Sequence, residues 1–159
     1  MSRQISVIGA SEGSGDILRV AEAVGRGIAE AGAVLVCGGR TGVMEAASKG
    51  AADAGGIVIG ILPTLSTDDA NPYITYAVAT GTGHARNLAV VASGEAVIAI
   101  SGEWGTLSEI AFARRLERPV VAIRSWALRN QADTDLGIVE ANAPEEAVEL
   151  ALRAAAGGN

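Results

Sequence analysis

Short apolar runs alternate along this chain with longer stretches in which apolar residues recur every third or fourth position. The run ISVIGA, residues 5–10, predicts a first strand. Over residues 16–32, Ile17, Val20, Ala21, Val24 and Ile28 fall on one helical face, and Gly32 stands where a C-terminal cap belongs. VLVC, residues 34–37, predicts a second strand, and VMEAASKGAADAG the helix after it. IVIGIL, residues 57–62, predicts a third strand closed by Pro63, and YITYAVA, residues 73–79, a fourth. A helix is expected over residues 83–92, a fifth strand at AVIAI, residues 96–100, and a helix at TLSEIAFARRLE. PVVAI, residues 119–123, predicts a sixth strand. A last helix opens at Asn142-Ala143-Pro144-Glu145-Glu146, with Asn142 as cap and proline and acids in the first turn. Residues 125–142 show no clear period.

The second, third, fifth and sixth strands are apolar almost throughout rather than alternating. Strands buried on both faces read this way, so the sheet should be parallel with a helix layer on each side. The fold class expected is α/β: one domain over residues 1–159, a Rossmann-like, doubly wound, mostly parallel sheet of about six or seven strands. Right-handed crossovers then gather the strand-to-helix loops SEGSGD, GGRTG and SGEWGT at one edge. PTLSTDDANPY, residues 63–73, is long and polar, and reads as a lid, a specificity loop or plain surface.

Composition narrows the partners. A chain of 159 residues buries roughly 70% of its unfolded surface and needs no staple. Aromatics make up only 3% against 49% hydrophobic, so the core is aliphatic. A net charge of −6 argues against nucleic acid and anionic membranes, while leaving room for a local phosphate site. The single cysteine, Cys37, allows no internal disulfide and fits a reducing cytoplasm. No signal peptide or membrane-spanning run is expected. A mean hydropathy of +0.32 suggests that some apolar surface is covered by another subunit, in a homo-dimer or tetramer.

The candidate chemistry lies in the edge loops. In Gly38-Gly39-Arg40-Thr41-Gly42, glycines let backbone approach a ligand, and the following helix N-terminus offers unpaired N–H groups that suit a phosphate. A tight turn of small residues reads the same way. No Gly-Lys-Ser/Thr follows, so this is not a P-loop, and GASEGSG lacks the dinucleotide spacing. Ser11 and Gly13 belong to the neighbouring loop. In GTGHARN, Arg86 falls early in a helix, against the dipole, which an anionic partner would explain. His84 reads as a loop or cap residue, and nothing around it forms a metal cluster.

In SGEWGTLSE, Thr106 and Glu109 match a capping box. The competing reading points Glu109 into the cleft beside Arg86, to hold ribose hydroxyls or steady a positive sugar. Trp104, between Gly102 and Gly105, stacks on a flat ring or covers its own loop. Cys37 reads as an inert buried thiol, and Glu45 and Lys49 as an ordinary helix pair.

Together, GGRTGVMEAASKGA, GTGHARN and SGEWGTLSE resemble the LOG family and its relatives. These are phosphoribohydrolases often misdescribed as lysine decarboxylases, with molybdenum cofactor carrier proteins in the wider group. The resemblance runs over residues 5–123. The family motif P-G-G-x-G-T-x-x-E falls on Ser101 to Glu109, where Gly102, Gly105, Thr106 and Glu109 match, Ser101 replaces proline and Glu103 replaces the second glycine. The family's catalytic arginine and glutamate match Arg86 and Glu109, and Asn87 stands where LOG enzymes carry lysine. The ARN and GGR spellings look closer to the carrier branch. Glu103 sets an acid beside the implied phosphate.

The resemblance implies binding of a nucleoside monophosphate or a pterin-type ligand such as molybdenum cofactor. Gly38, Gly39, Gly42, Gly105 and Thr106 would face the phosphate, Arg40 would add charge, and Ser11 and Gly13 would line the next loop. Two alternatives stand beside it: hydrolysis of a nucleoside 5′-monophosphate to a free base, and nucleotide sensing without turnover. Neither implies a cofactor for turnover. Lysine decarboxylation is excluded, because a Schiff-base lysine is needed and the only lysine, Lys49, lies within a helix.

Overall fold

The computed structural model describes residues 1–157. Seven strands form one sheet, every neighbouring pair parallel. They are β1 (Gln4–Gly9), β2 (Val34–Cys37), β3 (Val58–Leu62), β4 (Tyr76–Ala79), β5 (Ala96–Ile100), β6 (Val120–Ile123) and β7 (Ile138–Glu140), in the spatial order β4-β3-β2-β1-β5-β6-β7. The helices are α1 (Gly15–Glu30), α2 (Val43–Asp53), α3 (Arg86–Ser93), α4 (Trp104–Arg115) and α5 (Pro144–Gly157).

Alternation along each strand builds two separate cores. Ile5, Val7, Leu35, Cys37, Ile98 and Ile100 pack with α1, α2 and α5, through residues such as Val24, Ala47 and Ala151. Their strand neighbours Ile8, Val36, Val97 and Ala99 point the other way, onto Val90 and Val91 of α3 and Ile110 and Ala113 of α4. Both faces of the central strands are therefore dry, and this is the reason they read as unbroken apolar runs.

α1 and α2 cross with their backbones in contact. A Cβ on Gly25 would stand 1.9 Å from the Ala47 carbonyl oxygen, and one on Gly50 would stand 1.9 Å from that of Glu22. Gly32, at φ +73°, closes α1, and the amide of Ala33 donates back to the Ile28 carbonyl at 3.1 Å.

Several boundaries differ from the expected ones. β4 starts at Tyr76 rather than at residue 73, because Thr75 is diverted: its Oγ1 accepts from the Val58 amide at 3.0 Å. A turn of 3-10 helix over Gly83–Ala85 precedes α3. β7 lies in the stretch without visible period; it has three residues and two of them are exposed, so it leaves little apolar signal. Lys49 pairs with Glu22 at 2.7 Å and Asp53 at 3.0 Å instead of Glu45, since α1 brings an acid to it across the helix crossing. At α5, Asn142 is capped rather than capping: Glu146 reaches back and accepts from the Asn142 amide at 2.7 Å.

Candidate functional site

β1 and β5 lie side by side, and their following helices pack on opposite faces of the sheet. Loops that leave adjacent strands in opposite directions open a crevice at the carboxyl edge, the usual ligand position in a doubly wound sheet. A cleft of about 390 Å³ occupies this place. Its walls come from the loops after β1 and β2 and from the starts of α3 and α4.

The loop after β2 is shaped by contact. A Cβ on Gly38 would fall 1.9 Å from Nη1 of Arg86 and 2.6 Å from the Met44 sulfur. Glycine at this point lets the guanidinium lie across the strand end. Gly42, at φ +69°, packs on the backbone of Ser11, where a Cβ would meet the carbonyl oxygen at 2.4 Å. Thr41 Oγ1 donates to that same Ser11 carbonyl at 3.1 Å, so the two loops are tied together. Behind them, buried Asn71 donates its side-chain amide to the Arg40 carbonyl at 2.9 Å and its backbone amide to the Gly39 carbonyl at 2.8 Å. The polar loop of residues 63–73 thus braces the glycine loop from the rear, and none of its residues lines the cleft.

Arg86 opens α3 and is partly buried. Its Nη1 donates to the Ile61 carbonyl at 3.0 Å, and its Nε is buried without a hydrogen-bond partner. Burial pulls its pKa below the usual value, and the Glu109 charge opposes that shift. Glu109 is 7% exposed and its side chain makes no hydrogen bond among the described residues, yet it lines the cleft. Burial pushes its carboxyl up to about 7, with Arg86 acting in the opposite direction.

α4 begins two residues before the expected Thr106. Glu103 is its N-cap, and the Glu103 amide donates to Thr106 Oγ1 at 3.4 Å. The cap is therefore Glu103 with Thr106, and Glu109 is released from capping. Glu109 instead joins Thr106, Ile110 and Ala113 on the buried stripe of α4. The Glu103 carboxylate accepts from Ser11 Oγ at 3.1 Å, spanning from α4 to the loop after β1.

Of the residues singled out in the sequence, Ser11, Gly38, Arg40, Thr41, Arg86, Gly105, Thr106 and Glu109 line this cleft. Gly39 and Gly42 form its loop from behind, and Gly13 packs near Ile17 of α1. Trp104 is turned away. It is 79% exposed and stands against Trp126, ring centroids 5.5 Å apart. Gly102 gives Trp126 room: a Cβ there would lie 2.6 Å from Trp126 Nε1, which donates to the Glu103 carbonyl at 3.3 Å. Cys37 is buried and accepts from the Gly39 amide at 3.3 Å, and burial holds its thiol pKa up. Such a thiol is not a nucleophile.

The lining also includes Glu103, which the family motif set beside the implied phosphate, and Glu12, Met44, His84 and Asn87, which the motifs did not assign to the cleft. Asn87 had a signal. It shares the buried face of α3 with Val90 and Val91, where an apolar residue belongs. Among the described residues, no group of His, Cys, Asp and Glu is placed to hold a metal ion, and no helix is long and apolar enough to cross a membrane.

The model of the SLOG cluster4 family matches residues 2–148. An uncharacterized protein of Archaeoglobus fulgidus is 40% identical over 149 residues, covering 94% of each chain. Among solved structures, the molybdenum cofactor binding protein of the phototrophic bacterium Rippkaea orientalis is 36% identical with a TM-score of 0.87, over 96% of this chain and 97% of that one. The molybdenum cofactor carrier protein of Chlamydomonas reinhardtii is 29% identical with a TM-score of 0.86, over 98% of this chain and 99% of that one.

Proposed function

Since the chain belongs to the SLOG cluster4 family, we propose that it is a carrier that holds a phosphate-bearing small molecule in the cleft between β1 and β5. The ligand is a pterin-type cofactor, such as molybdenum cofactor, or a nucleoside monophosphate. The observation that carries this reading is Arg86: laid over Gly38 at the cleft wall, with Nε buried and unpartnered. Nη1 is spent on the Ile61 carbonyl, and Nη2, which has no hydrogen-bond partner among the described residues and is not fully buried, is the donor left for an oxygen-rich anion in the cleft. The phosphate sits at the Gly38-to-Gly42 loop, beside Arg40 and the N-terminus of α2, where backbone amides and positive charge coincide. Arg86 flanks the phosphate across Gly38, and the ring system lies toward Glu109 and the start of α4. A cleft of about 390 Å³ suits a ligand of this size. The Rippkaea and Chlamydomonas proteins, named for molybdenum cofactor, support the pterin choice.

Purification from cells that make the cofactor, followed by denaturation and pterin fluorescence, tests this. Wild type should release a pterin, and Arg86→Ala should lose it or bind GMP roughly 10- to 100-fold more weakly, the worth of a charged hydrogen bond. A folded wild-type protein that releases no pterin and binds no monophosphate overturns the reading.

Glu109 supports a second reading, N-glycosidic hydrolysis. A carboxyl held at about 7 beside an arginine suits proton transfer or charge stabilisation near neutrality. Free-base release from a panel of nucleoside 5′-monophosphates by wild type, abolished in Glu109→Gln, selects this reading over the carrier. The same proposal takes the working form as a dimer or tetramer. Tyr76 and Val78 on the edge strand β4 and Leu65 beside it are exposed apolar side chains that a second subunit would cover.

A further inference from the structure

We infer that Glu103 restricts the cleft to ligands carrying a phosphomonoester and excludes those in which a pyrophosphate bridges two halves. This inference rests on the proposed binding of a phosphate-bearing ligand.

In a doubly wound sheet, a dinucleotide lays its pyrophosphate across the crevice at the switch point, against helix N-termini and backbone amides. Here that crossing is occupied by the chain's own negative charge. Glu103 is fixed as the N-cap of α4 by its backbone amide, which donates to Thr106 Oγ1 at 3.4 Å. Its carboxylate reaches over the crevice to Ser11 Oγ, at 3.1 and 3.4 Å from the two oxygens. The positive end of α4 is thereby neutralised from within, and an arriving phosphate meets a like charge instead of an open amide cluster.

The rest of the wall agrees. The Glu109 side chain, 7% exposed and without a hydrogen-bond partner among the described residues, faces the same cleft, and Glu12 stands on the loop opposite. Arg86 is the cation nearest in effect to Glu109, and each group shifts the other's proton affinity. Neither Arg40 nor Arg86 forms an ion pair among the described residues, but the charge of Arg86 is already opposed by Glu109, which leaves Arg40 at the glycine loop. One strongly anionic group therefore fits, at the Arg40 end. The α4 end, lined by carboxylates, accepts hydrogen bonds. It suits sugar hydroxyls or the amino edge of a purine or pterin ring, not a second phosphate.

Isothermal titration with GMP, and with the pyrophosphate formed by joining two GMP molecules through their phosphates, reads this directly. Wild type should bind GMP at least about 10-fold more tightly than the bridged compound, since the second phosphate would face the like charge of Glu103. Glu103→Gln keeps the cap, because the amide oxygen still accepts. It should bring the two affinities within about threefold, chiefly by strengthening the bridged ligand. Glu103→Gly, checked for folding by circular dichroism, should move the same way. Equal affinities in wild type, or a preference unchanged by Glu103→Gln, overturn the inference while leaving the proposed function standing. A folded wild type that binds neither compound overturns the proposed function and this inference with it.

Discussion

Glu109 occupies a position of α4 that the packing reserves for an apolar side chain, between Thr106 and Ile110 on the buried stripe. Its charge is therefore held at an energetic disadvantage, and this makes stability depend on pH. The folded carboxyl titrates at about 7, above its ordinary 4.5. Below 4.5 both folded and unfolded chains hold the proton and nothing is lost. Between these values the folded state binds more protons than the unfolded one, so stability falls as pH rises, and the full deficit is reached above about 7. Glu109→Gln removes the titration and should be more stable than wild type at pH 8, by up to about 3 kcal/mol, and near equal at pH 4.5. Urea unfolding at the two pH values checks this; a constant difference between them would refute it. Gly38 gives a second residue-scale prediction. Gly38→Ala puts a methyl where Nη1 of Arg86 lies, 1.9 Å from the new carbon. Arg86 must leave its place, so GMP affinity should fall to the level of Arg86→Ala, roughly 10- to 100-fold down by titration calorimetry.

At the scale of elements, the α1–α2 crossing sets how close α2 comes to the sheet, and hence where the glycine loop sits. Gly25→Ala improves helix propensity by about 1 kcal/mol but drives a Cβ to 1.9 Å from a backbone carbonyl. Backbone cannot rotate aside as a side chain does, so overpacking wins. A net destabilisation of about 1–3 kcal/mol is expected, read as a lower Tm. The loop of residues 63–73 acts through one contact. Asn71→Ala leaves the Arg40 carbonyl without its donor and should cost about 1–3 kcal/mol locally. Hydrogen exchange should quicken for the amides around Gly39 and Arg40 first, while the β1 and β5 amides stay protected.

For the whole molecule, the net charge of −6 and the cleft act in opposition. The field of the chain repels an anionic ligand at distance, and only the local cluster at Arg40 and the α2 terminus reverses its sign. Raising salt from about 0.05 to 0.5 M should therefore alter GMP affinity little, in contrast to a basic nucleic-acid binder. The exposed β4 edge, with Tyr76 62% and Val78 50% exposed, is open to a neighbour. Light scattering should find a dimer or tetramer, and Tyr76→Lys with Val78→Lys should shift it toward monomer; a wild-type monomer would count against the oligomer.

Much of this was legible in order along the chain. Apolar runs in β2, β3, β5 and β6 announced a parallel sheet covered on both faces, because each strand must feed two cores at once. Crossover handedness then put the three polar loops at one edge. Arg86, against its helix dipole, stood out as a group that structure alone would not choose, whereas Glu109 matched a capping box, and only the fold set it on the buried stripe of α4. β7 stayed hidden because three residues, two of them exposed, carry no period. Other features depended on partners remote in sequence. Glu103 meets Ser11 across 92 positions, and Trp104 turns from the cleft because Trp126 lies beside it. Arg86 finds Gly38 and Ile61 only once β2 and β3 are paired. Periodicity and capping are written locally, since a helix or strand constrains its own neighbours. Which side chain closes the crevice is settled by the superposition of distant loops, and that information exists only in the assembled sheet.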